Sequence, residues 1–242
     1  YRYVSYQAWG VNDNYVSEEV GMQPIDVDKQ YHFFNPRAGV SYTLAERNNF
    51  YLSFAVAQKE PTRSDFTDRY KFAADDTYPS SEKLYDWELG YQYTAPRLSL
   101  GVNLYYMKYK DQLVPTGMVN DDSNALNTNV PDSYRRGVEL SASWRATGWF
   151  TVGANATFSQ NRIENYVDAL KDSPTYGKEL GDMTIAYSPD VIANAFLNFH
   201  HRGFEAVFHT QHVGKQYFTN NENDALSLDA YCVTNLLSLI HI

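Results

Sequence analysis

The chain has 242 residues, a formal net charge of -9 and an aromatic content of 16%, with 21 Tyr and 13 Phe. Rich in aromatics and without long Leu/Ala/Glu/Lys runs, it has a β composition, and its acidic balance disfavours a nucleic-acid partner, whose phosphates need the opposite sign. A single cysteine, Cys232, excludes a disulfide framework or a zinc cluster, and no apolar run approaches the roughly 18 residues of a membrane helix, so residence in a membrane would require a β-barrel.

The opening residues, YRYVSYQAWG, carry no initiator Met and no basic or apolar leader, and a strand pattern already runs at Tyr1; this is expected of a chain that starts within a longer protein. Period-2 patterning predicts strands over 3–11, 32–44, 50–59, 83–94, 98–114, 134–145, 150–161, 185–200, 204–213 and 228–236. The connections at 45–49, 95–97, 146–149 and 201–203 are tight, whereas those at 12–30, 60–82, 115–131, 162–184 and 214–227 are long. Short and long connections alternate along the chain. A sandwich scatters its loop lengths over both ends, but an outer-membrane barrel has short periplasmic turns and long extracellular loops.

The strand faces agree with that reading. Over 98–106, Leu98, Leu100, Val102, Leu104 and Tyr106 would face outward, against Ser99, Gly101, Asn103 and Tyr105 inside. Over 150–159, Phe150, Val152, Ala154, Ala156 and Phe158 oppose Thr151, Gly153, Asn155, Thr157 and Ser159. The second set suits a wet lumen or a polar plug rather than a dry core. Phe34 and Tyr42, Tyr85 and Tyr93, and Phe150 and Phe158 each stand eight positions apart. On tilted strands that spacing projects to roughly 20 Å, close to the height between two aromatic girdles. The long loops are together more acidic than the whole chain, so strands and tight turns are net positive.

The final residues, LSLIHI, break the pattern, and they are what CTG TCT CTT ATA CAC ATC would encode, a sequence similar to the transposon ends used in preparing sequencing libraries. Residues 1–236 are therefore read as the barrel segment, and 237–242 as an expected non-native tail.

Several stretches resemble the TonB-dependent receptors, and specifically the C-terminal part of their outer-membrane barrel: NNFYLSFAVAQKEPTRSDFTD, PSSEKLYDWELGYQYTAPRLSLGVNLYYMKYKDQLVPTG, SYRRGVELSASWRATGWFTVGANATFSQNRI, HVGKQYFTN and LDAYCVTNL. The resemblance implies an all-β, antiparallel transmembrane barrel, of which this chain would supply about ten of about 22 strands. It also implies an N-terminal plug and a partner complex in the inner membrane that engages the plug, neither of which these segments contain. The function implied is import of a scarce solute, with a ferric siderophore as the leading ligand class. A passive porin or adhesin barrel, or a soluble glycan-binding β module, remains the alternative.

Catalysis finds no support, since GxSxG, HExxH, P-loop and GxGxxG patterns are missing. No cofactor or resident metal is expected. His209 and His212 fall on opposite strand faces and cannot share an ion, and the acid pairs Asp75/Asp76 and Asp121/Asp122 sit in loops where solvation explains them. The inward charges Asp86, Glu88, Arg135, Glu139 and Arg145 are expected to pair across strands or to contact a plug. For ligand contact, loop residues with aromatic or arginine side chains are the candidates: Arg63, Tyr70, Tyr78, Tyr166 and Tyr176. Loop tyrosines can equally pack the loops on one another.

Overall fold

The computed structural model describes residues 1–12, 23–67, 78–119 and 123–240. In chain order the strands are β1 (Arg2–Asn12), β2 (Gln23–Phe33), β3 (Arg37–Leu44), β4 (Asn48–Lys59), β5 (Glu82–Thr94), β6 (Leu98–Val119), β7 (Ala125–Arg145), β8 (Phe150–Ile163), β9 (Met183–Thr184), β10 (Val191–His201), β11 (Phe204–Val213), β12 (Gln216–Tyr217), β13 (Ser227–Leu228) and β14 (Tyr231–Ile240), with one short helix, α1 (Arg63–Thr67), after β4. The main sheet runs β3-β4-β5-β6-β7-β8-β10-β11-β14, with β9 added to β8. Every pairing is antiparallel and, apart from the short strands β9, β12 and β13 that intervene between β8 and β10 and between β11 and β14, joins strands consecutive along the chain, so the sheet is a meander. It does not close: β3 and β14 are its edges, and every residue of both is exposed.

Tight turns join β3 to β4, β5 to β6, β7 to β8 and β10 to β11. The first adopts positive φ at both Ala45 (50°) and Glu46 (60°), the backbone that matches the twist of two antiparallel strands. At the other end the connections are long, as their alternation in the sequence predicts.

Register aligns one apolar face across the sheet. Leu52, Leu89, Leu104, Val138 and Phe158 stand side by side, and so do Phe54, Trp87 and Tyr106. Aromatic contacts run along one row, from Tyr85 to Trp87 (6.1 Å), Tyr106 (5.7 Å) and Tyr134 (6.4 Å). A second row, Trp149, Phe150, Phe199 and Phe208, lies near the tight turns. Exposed bulky apolar side chains on a wide sheet face require an apolar solvent, which a bilayer supplies.

The polar face carries Ser53, Glu88, Asn103, Glu139, Ser141, Asn155, Thr157 and Asn194 in adjoining register positions. Aromatic residues on this face lie opposite glycines: Tyr51 opposite Gly90, Tyr105 opposite Gly137, and Phe196 opposite Gly153. A Cβ built on Gly90 would meet the Tyr51 ring at 2.1 Å, and one on Gly153 would meet the Phe196 ring at 2.4 Å. Glycine thus lets each ring lie flat along the wall rather than project into the space beside it.

Four expectations need correction. The predicted loop 12–30 contains most of β2, which pairs with β1 in a two-stranded sheet apart from the main one. The predicted strand 32–44 is two strands, broken at residues 34–36, where Pro36 has no N–H to give the ladder and Phe34 is exposed outside both. The predicted loop 115–131 is largely ladder, because β6 and β7 run to 22 and 21 residues and carry a hairpin well past the length needed to cross a bilayer. Its Pro, Gly and Asn residues read as turn signals, yet pairing continues through a register irregularity between Pro115 and Val119. Finally, residues 185–190 are not strand, and β10 begins at Val191. At the chain end, pairing to β11 continues through Ile240.

Candidate functional site

The long connections knit into an assembly at one end of the sheet. The β1–β2 hairpin, which pairs Arg2 with Phe33 at its base, reaches the segment after β4 through a stack of Tyr6 on Phe66 (4.9 Å) and an Arg2–Glu60 ion pair. Phe66, on α1, is 1% exposed and also meets the edge of Tyr78 at 5.9 Å. Asp65 fixes that helix: its carboxylate accepts from the Thr62 amide (2.7 Å) and hydroxyl (2.6 Å), half of a capping box, and from Asn127 on β7 (2.8 Å). Asn129 continues the seam by donating to Ser80 O (3.1 Å) and Asp111 O (2.6 Å).

A second group surrounds Asp168. Its carboxylate accepts from the Leu170 amide (3.0 Å), the Thr175 hydroxyl (2.7 Å) and Asn221 (3.2 Å), tying residues 164–182 to the connection before β14. Burial pushes this carboxyl up, but hydrogen bonds from Ser173, Thr175, Leu170 and Asn221 outweigh it and hold it below the ordinary range. Asn220 donates to the Pro115 carbonyl (2.7 Å) and accepts from the Ala186 amide (2.7 Å), while Glu222 binds Arg162 and Thr184. Beneath lies a small core of Val114, Val130, Ile163, Tyr166 and Ile185.

The five candidate residues separate accordingly. Arg63 is exposed at the start of α1, beside the Phe66 cluster. Tyr78 donates to the Asp26 carbonyl at 2.7 Å, with Lys29 5.5 Å over its ring, and so binds the β1–β2 hairpin to the wall. Tyr166 is 2% exposed and packs in the core under the loops. Tyr176 is 43% exposed, and with Tyr166 and Asp168 it lines a cavity of about 320 Å³. Tyr70 and the acid pairs Asp75/Asp76 and Asp121/Asp122 lie outside the described residues. The structure thus brings Tyr166 and Tyr176 to one cavity and Tyr78 into the Phe66 cluster, with Arg63 exposed on the same short helix as Phe66. Sequence reasoning missed Asp65, Asp168, Asn220 and Glu222, whose only signal was an Asn/Asp-rich loop composition.

On the polar face, Glu139, Asn103, Ser141, Asn155, Thr157 and Tyr51 border a second cavity of about 380 Å³. Cross-strand pairing of the inward charges is largely not found. Arg135 donates to Asn161 (3.3 Å) and Ser188 (3.0 Å), and Glu139 accepts from Asn103 (3.2 Å), but among the described residues Asp86, Glu88 and Glu139 make no ion pair. One carboxylate oxygen of Asp86 is buried with no hydrogen-bond partner. No group of three metal-ligating side chains occurs among the described residues. His209 pairs with Phe196 and His212 with Ala193, on opposite faces as the spacing predicts.

The fold is similar to that of the ferric yersiniabactin uptake receptor FyuA from Yersinia pestis, with a TM-score of 0.65 at 18% identity over 89% of this chain and 31% of that one. It is equally similar to the siderophore receptor PiuA from Acinetobacter baumannii (TM-score 0.66, 13% identity, 94% and 32% covered). The copper transporter OprC gives 0.64 at 17% identity, over 85% and 31%. The chain thus spans about a third of the length of these proteins. No curated protein sequence matches it. The family model described as TonB dependent receptor-like, beta-barrel, matches residues 1–238, and with the open meander, the apolar and polar faces and the one-ended loop assembly, it shows that the chain belongs to the TonB-dependent receptor β-barrel family.

Proposed function

We propose that this chain is part of the wall of an outer-membrane receptor that imports a scarce solute, with a ferric siderophore as the ligand class. Its apolar face meets lipid, its polar face meets the lumen, and the loop assembly together with the upper lumen receives the ligand. The observation that carries this reading is the lumenal wall itself: Asp86, Glu88 and Glu139 lack cationic partners among the described residues, and aromatic rings are laid flat on glycines. An open porin would leave these carboxylates in water, whereas a plug entering the lumen gives them counter-charges. Neighbours named as a ferric yersiniabactin receptor and a siderophore receptor support the ligand class. Arg63, Tyr70, Tyr78, Tyr166 and Tyr176 stay proposed contributors, with Arg63 and Tyr176 the most exposed of those described.

Uptake of radiolabelled iron by an iron-starved host carrying the complete gene tests the proposal. Accumulation should need both a supplied siderophore and an intact energising complex. Uptake that persists unchanged after loss of that complex would assign a passive porin, and absence of siderophore-dependent uptake would overturn the ligand class.

A further inference from the structure

Among the described residues, the loop assembly divides into two groups, each fastened to the extended β6–β7 hairpin and neither joined to the other by a hydrogen bond or an ion pair. The extension is a fixed post, because β6 and β7 stay paired in one ladder with the wall from Leu98↔Trp144 to Pro115↔Asn127. On one side of it, Val114 and Val130 share a buried core with Ile163, Tyr166 and Ile185, and Asn220, 1% exposed, donates to the Pro115 carbonyl at 2.7 Å. The other side is fastened differently. Beyond the start of β5, its hydrogen bonds to the post come from two asparagine side chains: Asn127 donates to Asp65 near α1 (2.8 Å), and Asn129 donates to the Ser80 carbonyl (3.1 Å) and accepts from the Ser80 amide (2.8 Å).

What these asparagines hold is a single body. Tyr6 on β1 stacks on Phe66 of α1, Phe66 meets the edge of Tyr78, and the Tyr78 hydroxyl donates to the Asp26 carbonyl on β2. Tyr6, Val27 and Phe33 lie on one face of the β1–β2 hairpin, with Val27 and Phe33 2% and 3% exposed, so the hairpin covers that face and keeps Phe66 against it. The body meets the wall at its base. β1 and β2 form a sheet of their own, and their ladder stops at residues 34–36, where Gln58 donates to the Phe34 carbonyl (3.0 Å) and the Asn35 side chain (3.2 Å), and the Val56 amide donates to the Pro36 carbonyl (2.8 Å). Arg2 pairs with Glu60 there, and Pro61 separates β4 from α1. Ties at the base thus gather at residues 34–36 and 56–62, while ties away from it run through Asn127 and Asn129. That separation is the geometry of a hinge and a latch.

We infer that β1, β2, α1 and Tyr78 move together as a lid, hinged at residues 34–36 and 60–62 and latched to the β6–β7 post by Asn127 and Asn129, and that release of the latch opens the way to the polar face beside β4. The segments around Tyr166 and Asn220 stay with the post. The lid rests on the receptor-wall reading but not on the identity of the imported solute. Hydrogen exchange of the full-length receptor in detergent, with no solute added, compares wild type with Asn127→Ala/Asn129→Ala. Exchange over 2–12, 23–33 and 63–67 should rise together by about tenfold, while 125–131 and 164–182 stay within about twofold of wild type. Asn220→Ala should do the reverse, loosening 214–228 and leaving 2–12 and 23–33 unchanged. A rise confined to α1, or one that spreads to 164–182, overturns the lid. Gating is read at Ala57, an exposed residue on the polar face of β4 just before α1. In a Cys232→Ser background, Ala57→Cys should react with a water-soluble maleimide about fivefold faster once the two asparagines are replaced, and an equal rate overturns the gate. A receptor with no heat-modifiable barrel would sink the receptor-wall reading itself, whereas a folded barrel with unaltered exchange sinks the lid alone.

Discussion

Replacing Gly137 by alanine is expected to destabilise the β7–β8 seam in a way that no neighbouring side chain can relieve. A Cβ at this position would lie 2.4 Å from the Phe158 carbonyl oxygen, and 2.7 and 2.9 Å from the Tyr105 hydroxyl and its ring carbon, where ordinary contact begins near 3.4 Å. The Tyr105 ring can rotate away, but the carbonyl belongs to the backbone of β8 and must move by about 1 Å with its strand. Overpacking of this kind costs about 1–3 kcal/mol, and a backbone obstacle puts Gly137→Ala near the upper end. Gly90→Ala is the internal control, because its obstacles at 2.1, 2.1 and 2.5 Å are all atoms of the Tyr51 side chain. Adding Tyr51→Ala should restore most of the stability lost in Gly90→Ala, whereas adding Tyr105→Ala should restore little of that lost in Gly137→Ala. Guanidinium unfolding of the full-length receptor in detergent, followed by tryptophan fluorescence, measures all four variants. If Gly137→Ala falls within about 0.5 kcal/mol of wild type, or is fully rescued by Tyr105→Ala, the account of the glycine–aromatic wall is wrong.

The loop assembly yields further expectations. Phe66→Ala removes a side chain that is 1% exposed between Tyr6 and Tyr78 and should cost about 3–5 kcal/mol locally; hydrogen exchange over 60–67 should rise while that of the sheet does not. Because the folded Asp168 carboxyl titrates below its ordinary value, its contribution is fully present above about pH 4 and is lost as pH falls through the depressed value. Proteolytic nicking within 164–182 should therefore increase on acidification in wild type and be high and pH-independent in Asp168→Asn. Tyr166→Ala and Tyr176→Ala should differ sharply: the first opens a cavity in the core and lowers stability by about 3 kcal/mol, and the second changes stability little. A siderophore-affinity loss in Tyr176→Ala at unchanged stability would mark a ligand contact, and unchanged affinity would assign that tyrosine to the loops alone.

Much of the wall was legible in the sequence because a strand reports its two faces at a fixed period of two residues. Leu104 and Phe158, each read as outward from its own strand, proved to lie in one apolar register row with Leu52, Leu89 and Val138, since one-residue slips would have turned whole strands inside out. The β6–β7 extension was not legible, because Pro115 and the Asn residues near 127 are turn formers by local preference and only cross-strand pairing keeps them in the ladder. The same holds for the loops. Tyr166 and Tyr176 carry the same side chain ten positions apart, and nothing local says that one lies in a core with Ile163 and the other on the surface.

Alternation of strand faces and of connection lengths, then, determined by itself the meander, its apolar and polar sides, and the end at which the loops gather, since each depends on residues close in sequence. Tertiary structure alone decided which loop residues are rivets and which are open to a ligand, because Asp65, Asp168 and Asn220 find partners 62, 53 and 105 positions away. It also decided the pairing of Tyr51, Tyr105 and Phe196 with glycines. Those pairings are set by register between strands, a long-range property that period-2 patterning constrains to odd or even positions but does not fix.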